Sequence, residues 1–314
     1  MDRHASIHFR YFRGEAMDGV LLLHKPAGMT SHDCVMRIRK LFQTKKVGHT
    51  GTLDPDVCGV LPICIGKATK IVELLTAEKK TYEGEVTLGI ATTTEDASGD
   101  VVSIKPIERS IARHEIEHVL AELTGEIEQI PPMYSAVKVN GKKLYEYARA
   151  GIDVERPKRH VHIYELQLLD DRQVFAGERI SFRFRVTCSK GTYVRTLAVQ
   201  IGEQLGYPAH MSHLVRTASG SFTLDQCVTF ADIEQHLSAG TAHTLLLPIE
   251  RALAHLPTYV LNDEEERKVK NGALLPVLSD MPARLLMVNK QGEALAIYML
   301  HPTKQGYMKP LKVL

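Results

Sequence analysis

The chain has 314 residues and 35.1 kDa, with 44% hydrophobic and 24% charged residues, a globular balance that excludes a disulfide-stapled peptide, wholesale disorder and a fibrous repeat. Thirty-nine Lys+Arg against 37 Asp+Glu leave a formal charge of +2, so any polyanionic partner has to be met by local clusters and not by the field of the whole molecule. At roughly 150 residues per domain the length predicts about two domains. The five cysteines (Cys34, Cys58, Cys64, Cys188, Cys227) are widely spaced without a C-x-x-C pair, which argues against a disulfide framework and a zinc ribbon and predicts a reducing, cytoplasmic home. No apolar run approaches the roughly 18 residues of a membrane span, and the N-terminus lacks the continuous apolar core of a signal peptide. The regular pattern begins at Met17, so residues 1–16 are expected to be a disordered extension.

In chain order, Gly19 to His24 reads as a buried strand ended by the loop Lys25-Pro26-Ala27-Gly28. Ser31 offers an N-cap to a helix carrying Val35, Ile38 and Phe42 on one face. A loop rich in Gly, Thr and Pro follows at 48–55, and Gly66 to Leu75 reads as a helix start. A surface helix is predicted over Ile111 to Leu123, with Ile116, Val119, Leu120 and Leu123 as its apolar stripe. Asn140-Gly141, flanked by Val137-Lys138-Val139 and Lys142-Lys143-Leu144, predicts a hairpin, because Asn-Gly accepts the positive φ values of a type I′ turn. Residues 180–188 alternate strictly, the mark of a half-buried strand. The segment TYVRTLAVQIGEQLG places Val194, Leu197, Ala198, Ile201 and Leu205 at helical spacing, with Arg195 in the first turn. A boundary is expected near residue 250, with a strand-rich tail (Arg284–Val288, Ala294–Leu300) of net charge +3 against −1 for the rest. Long strands with segregated helices predict an α+β fold and a mixed, largely antiparallel sheet.

Two motifs mislead. His114-Glu115-Ile116-Glu117-His118 satisfies the H-E-x-x-H zincin pattern, but at 100° per residue both imidazoles fall opposite the apolar stripe and no third ligand follows at a zincin spacing. Gly66-Lys67-Ala68-Thr69 lacks both the nearby glycine and the following Ser/Thr of a phosphate loop. Three basic clusters are more informative: Arg37, Arg39, Lys40, Lys45 and Lys46; Lys138, Lys142 and Lys143; Arg156, Lys158, Arg159 and His160. Interleaved with Phe42, Tyr134, Tyr145 and Tyr147, they point to a backbone-contacting nucleic-acid surface. Asp54, kept extended by Pro55 in a loop that Gly48 and Gly51 let turn tightly, is the pointed candidate for chemistry, beside the simpler reading of a turn aspartate.

The motifs KPAGMTS at 25–31, GHTGTLDP at 48–55, GVLPICIGKATK at 59–70, KKTYEGEVTLG at 79–89, PPMYSAVKVNGKKLYEYARAG at 131–151, CSKGTYVRTLA at 188–198 and HLVRTASGSF at 213–222 resemble the bacterial TruB family of tRNA pseudouridine 55 synthases. The resemblance runs in order over essentially 17–314. It implies a pseudouridine-synthase domain over 17–249 and a small PUA-like RNA-binding β-barrel over 250–314. It implies Asp54 as the essential carboxylate, Tyr82 against the target base as the group that removes the C5 proton, and Arg195 as the partner of Asp54. It further implies that His49 stacks where the flipped nucleotide leaves the RNA, that Lys25 and Asp96 belong to the surrounding polar network, and that Leu214 packs beside the base. Thr93 departs from the pattern, since many relatives carry Asp there. The implied substrate is the T-loop uridine of tRNA, gripped at the T-arm and acceptor stem by a monomer needing no protein partner. Breaking the N1–C1′ bond and rejoining through C5 is redox-neutral and transfers no external group, so neither cofactor nor metal is expected. A non-catalytic tRNA-folding chaperone using the same cleft is the alternative.

Overall fold

The computed structural model describes residues 17–314; the expectation for residues 1–16 lies outside the described residues. The first apolar run forms β1 (Gly19–Lys25), antiparallel to β3 (Cys58–Ile65) from Gly19 opposite Ile65 to Lys25 opposite Gly59. Neither strand alternates with polar residues, because both faces are covered. Leu21, Leu23, Leu61, Ile63 and Ile65 pack against Cys34, Val35 and Ile38 of helix α1 (Ser31–Leu41). Val20, Leu22, Val60 and Cys64 point the other way, into a second apolar layer. Each such side chain, fully withdrawn from water, contributes about 1.5–3 kcal/mol.

The cap of α1 corrects the sequence reading. Thr30 is the N-cap, in a reciprocal box with Asp33. Ser31 is thereby left free to hold the neighbouring loop, and its Oγ accepts from the Leu53 amide at 2.8 Å and donates to the Leu53 carbonyl at 3.2 Å. A short strand, β2 (Val47–His49), pairs with β3.

The remaining large elements are β4 (Lys80–Leu88), α2 (Arg113–Glu122), β5 (Gly125–Gln129), β6 (Arg159–Leu168), β7 (Ile180–Cys188), α3 (Val194–Leu205), β8 (Ala209–Ser219) and β9 (Leu246–Leu247). They complete a ten-stranded sheet in the order β9-β1-β3-β8-β4-β7-β6-β5, with β2 and Phe222–Thr223 attached at the side. The β3–β8 pair is parallel and the other strand pairs of this sheet are antiparallel, as the α+β reading expects. On β7, Ile180, Phe182, Phe184, Val186 and Cys188 are buried beneath Ile116, Val119 and Leu120 of α2 and Leu197, Ala198 and Ile201 of α3. His114 and His118 lie exposed on the other side of α2, and among the described residues no cluster of three or more His, Cys, Asp or Glu is arranged to hold a metal. Lys138–Val139 and Lys142–Lys143 form the expected hairpin, with Asn140 at φ 50° and Gly141 at φ 83°.

Residues 258–313 form a separate five-stranded sheet, β10 (Thr258–Val260), β11 (Leu275–Pro276), β12 (Leu285–Val288), β13 (Ala294–Leu300) and β14 (Tyr307–Val313), in the order β10-β12-β13-β14-β11. Leu261, Leu275, Leu285, Met287 and Tyr298 give it its own core. Its opposite face is not free: Leu286, Val288 and Ile297 fill the layer over Val20, Leu22 and Val60, and the Ala294 amide donates to Glu250 Oε1 at 2.6 Å. A module of this size is marginal alone; here it shares a core with the main sheet. Among the described residues no helix is long and apolar enough to cross a membrane.

Candidate active site

The loop between β2 and β3 carries Asp54, and its shape is set by hydrogen bonds made below it. Ser31 fixes Leu53 from α1. Lys25, at the end of β1 and without solvent exposure, donates through Nζ to the carbonyls of Pro26 (2.9 Å), Pro55 (2.9 Å) and Val57 (2.7 Å). An ammonium has three protons, so all three are engaged. Burial pushes the amine below its ordinary value. The structure therefore puts Lys25 under the loop as a brace.

Above this base, Asp54 meets Arg195 from the first turn of α3. Arg195 Nε lies 3.0 Å from Asp54 Oδ2 and Nη2 donates to Oδ1 at 3.2 Å, the two-point fork that a lysine cannot make. The guanidinium is itself fixed, since Nη1 donates to the Thr94 carbonyl at 3.1 Å and Nη2 to the Tyr134 carbonyl at 3.0 Å. The Arg195 side chain is 5% exposed, whereas that of Asp54 remains 41% exposed, so the carboxylate and not its partner faces solvent. Burial pushes the Asp54 carboxyl above its ordinary value; Arg195 opposes the rise and Asp96 adds to it. Desolvation thus outweighs the guanidinium in setting the direction of the shift.

Asp54 and Arg195 stand between two openings. The first, a cleft of about 250 Å³, is lined by Asp54, Arg195, Tyr82, Leu214, Lys80, Arg216 and Ser135 among others, just below the roughly 300–1,000 Å³ of ligand pockets. The second holds Asp54, Arg195 and Leu214 together with Asp96 and His213. Asp96 Oδ2 is 3.8 Å from Arg195 Nε, and its Oδ1 is occupied by Thr94 Oγ1 and by the amide and hydroxyl of Ser98. Thr93, one residue before the Thr94 clamp, exchanges hydrogen bonds with Asp100 instead, its amide donating to the Asp100 carbonyl and its Oγ1 accepting from the Asp100 amide. The departure at this position thus leaves the pair intact.

Tyr82 and Leu214 reach the first cleft from adjacent strands. Leu214 sits opposite Gly84, where a Cβ would lie 3.0 Å from Leu214 Cδ1 and 2.9 Å from Phe184 Cζ; the missing side chain makes the room. Tyr82 is 9% exposed, and burial raises its phenol above the ordinary value. His49, the last residue of β2, is half-buried and lies outside the lining of both openings; burial lowers its imidazole, which favours the neutral ring. Of the residues singled out from sequence, Asp54, Arg195, Tyr82 and Leu214 gather around one cleft and Asp96 around its neighbour, while Lys25 and His49 stand outside.

Three further cleft residues carry no role in the sequence reading. Arg216 lies two residues beyond Leu214 on the same strand face, a spacing that could have marked it. Lys80 precedes Tyr82 by two residues, with the same signal. Ser135 is 5% exposed with a hydroxyl that finds no partner; its lone position in a loop gives no signal.

The fold superposes on single chains of solved complexes. A chain of the structure titled "Crystal Structure of a Cbf5-Nop10-Gar1 Complex" matches with a TM-score of 0.72 at 30% identity, over 95% of this chain and 85% of that one. A chain of "Structure of H/ACA RNP bound to a substrate RNA containing 2'-deoxyuridine" matches with a TM-score of 0.69 at 27% identity, over 95% and 85%. Fold and site together define a pseudouridine synthase. Within that class the model "TruB family pseudouridylate synthase (N terminal domain)" matches residues 39–194, and "tRNA pseudouridylate synthase B C-terminal domain" matches 195–254. The curated tRNA pseudouridine synthase B of Geobacillus thermodenitrificans is 65% identical over 95% of this chain and 99% of its own length, and that of Geobacillus kaustophilus is 71% identical over 82% and 91%. The chain belongs to the TruB family.

Proposed function

We propose that this protein isomerises uridine 55 in the T-loop of tRNA to pseudouridine. The observation that carries the reading is the Asp54 carboxylate, gripped at two points by Arg195 and open to a cleft that also holds Tyr82 and Leu214. The target bond lies inside folded RNA, so the nucleotide is extruded at a cost of a few kcal/mol, with His49 stacking where it departs. In the cleft Asp54 supplies the ionised group, acting as a nucleophile or on a sugar proton. Arg195 orients it, Tyr82 takes the C5 proton and Leu214 packs on the uracil, while Asp96 and Lys25 hold the polar surroundings in place. Residues 17–249 carry out this chemistry in the cytoplasm, and residues 250–314, a PUA-like module, grip the acceptor stem while the main domain holds the T-arm. The protein works as a monomer without an obligatory protein partner. The basic hairpin Lys138–Lys143 leads directly out of Ser135 and Ala136 of the cleft, which favours RNA backbone contact there.

The test is tritium release from C5-labelled uridine in an unmodified tRNA transcript. Wild-type protein is expected to release the label, and Asp54→Asn to lose at least about a thousandfold of the rate with transcript binding retained. Binding without release by the wild type would replace this reading with the RNA-folding chaperone.

A further inference from the structure

The wall of the first cleft that Arg216 and Lys80 contribute has an unusual charge arrangement. Arg216 is 1% exposed and Lys80 is 5% exposed, yet among the described residues no carboxylate pairs with either. Arg216 Nε donates to the Val60 carbonyl at 2.7 Å and Nη2 to the Gly51 carbonyl at 3.3 Å. Lys80 Nζ is held by the carbonyls of Leu75, Thr76 and Glu78 at 3.2, 3.3 and 2.8 Å. Both cations approach Gly51, where an added Cβ would sit 3.6 Å from Arg216 Nη1 and 3.7 Å from Lys80 Cε. Arg216 is also the direct cross-strand partner of Tyr82. Burying a guanidinium is costly unless an opposite charge accompanies it. Two such groups side by side, held by carbonyls and, for Arg216, by the Tyr82 phenol, with no carboxylate in direct contact among the described residues, leave this wall electropositive and facing the space a ligand fills.

We infer that Arg216, with Lys80 behind it, is the catalytic cation that stabilises the uracil as it leaves the sugar. The inference rests on the uridine-isomerising reading and adds to it a group for the charge that the reaction creates. When the N1–C1′ bond breaks, its electron pair stays on N1 and spreads over O2 and O4 of the ring, leaving C1′ electron-poor. Rejoining uses the C5–C6 π pair to form the C5–C1′ bond. The C5 proton then leaves to a base and N1 gains a proton, so product and substrate are isomers. The middle of this sequence holds an anionic base beside a carboxylate, and a fixed cation lining the same cleft as Asp54 matches its charge without reorganising. The third guanidinium nitrogen, Nη1, is turned toward Gly51 at the cleft wall.

The test compares Arg216→Gln and Arg216→Lys in the full chain under single-turnover conditions, on transcripts bearing uridine or 5-fluorouridine at the target position, followed by nucleoside digestion and mass analysis. Fluorine withdraws electrons and makes the base a better leaving group, so it supplies part of what Arg216 supplies. Arg216→Gln is expected to slow consumption of the uridine transcript about a hundredfold with Kd unchanged, and the deficit is expected to shrink about tenfold on the fluorinated transcript. Arg216→Lys, which keeps the charge and is the arm to read if the glutamine variant does not fold, is expected to lose less, with the same dependence on the base. A deficit equal on both bases overturns the inference in favour of a structural role. A deficit confined to Kd, with an altered salt slope, overturns it in favour of a phosphate contact. Wild-type protein inactive on the uridine transcript would overturn the proposed function itself, whereas a base-independent deficit with active wild type removes only Arg216.

Discussion

The two ends of the cleft handle buried charge in opposite ways. At one end Asp54 and Arg195 neutralise each other at 3.0 and 3.2 Å, with Asp96 near by. At the other, Arg216 and Lys80 rest on backbone carbonyls and, for Arg216, on the Tyr82 phenol, with no direct carboxylate partner among the described residues. A paired charge is positioned and a carbonyl-supported cation is kept available, so the difference separates groups that must be aimed from groups that must answer a charge yet to form. Folding tolerates the second kind only because strand ends and a short helix, Val72–Ala77, present their carbonyls there.

After the loss of Asp54 itself, the largest expected effect breaks the paired end. Arg195→Lys keeps the charge but loses the fork and the clamp from Thr94 and Tyr134, and kcat is expected to fall about a hundredfold while Kd for the transcript stays close to wild type. A kcat within twofold of wild type would show that Asp54 needs only a nearby charge.

Titration sharpens the comparison, because burial shifts the carboxyl at one end up and the ammonium at the other down. Asp54 is raised, burial outweighing Arg195, so activity is expected to be lost as pH falls through a value above the ordinary aspartate pKa of about 3.9. Lys80 is pushed down to about 8 by burial first and by Arg216 second, so its charge is lost as pH rises through that value and activity is expected to decline on the alkaline side. A kcat/KM profile on the unmodified transcript reads both limbs; removal of the alkaline limb in Lys80→Met, with the acid limb unmoved, would assign it.

The smallest effect is expected at the surface helix that carries the zincin-like motif. His114→Ala with His118→Ala should change stability by no more than about 0.5 kcal/mol and leave tritium release unaltered, since both side chains are exposed and neither lines the cleft. Loss of activity there would reopen the metal question.

Much of this is legible in the chain. The strict alternation of 180–188 marks a central strand, the Asn-Gly pair marks the hairpin, and the helical spacing after Gly191 puts Arg195 in a first turn. What escapes is whatever depends on distant partners. Ser31 has the chemistry of an N-cap, and only its contact with Leu53 shows why Thr30 takes that position instead. The burial that raises Asp54 arises from walls contributed by segments far apart in sequence, the Asp54 loop and Val194 among them. Periodicity along β8 marks Arg216 as facing the same way as Leu214, but its lack of a carboxylate partner among the described residues is visible only once the neighbours are placed. The tail reads as a separate module because its strands are local, while the layer it shares with β1 and β3 is not.

The three carbonyls on Lys25 also bear on how association proceeds. With Pro26, Pro55 and Val57 tied to one ammonium and Leu53 to Ser31, the Asp54 loop is ordered before any RNA arrives, so its conformational entropy is lost on folding and not on binding. Adaptation then falls on the RNA partner. The slow event in complex formation is expected to be nucleotide extrusion, responding to the stability of the T-loop, with the protein loop acting as a fixed template.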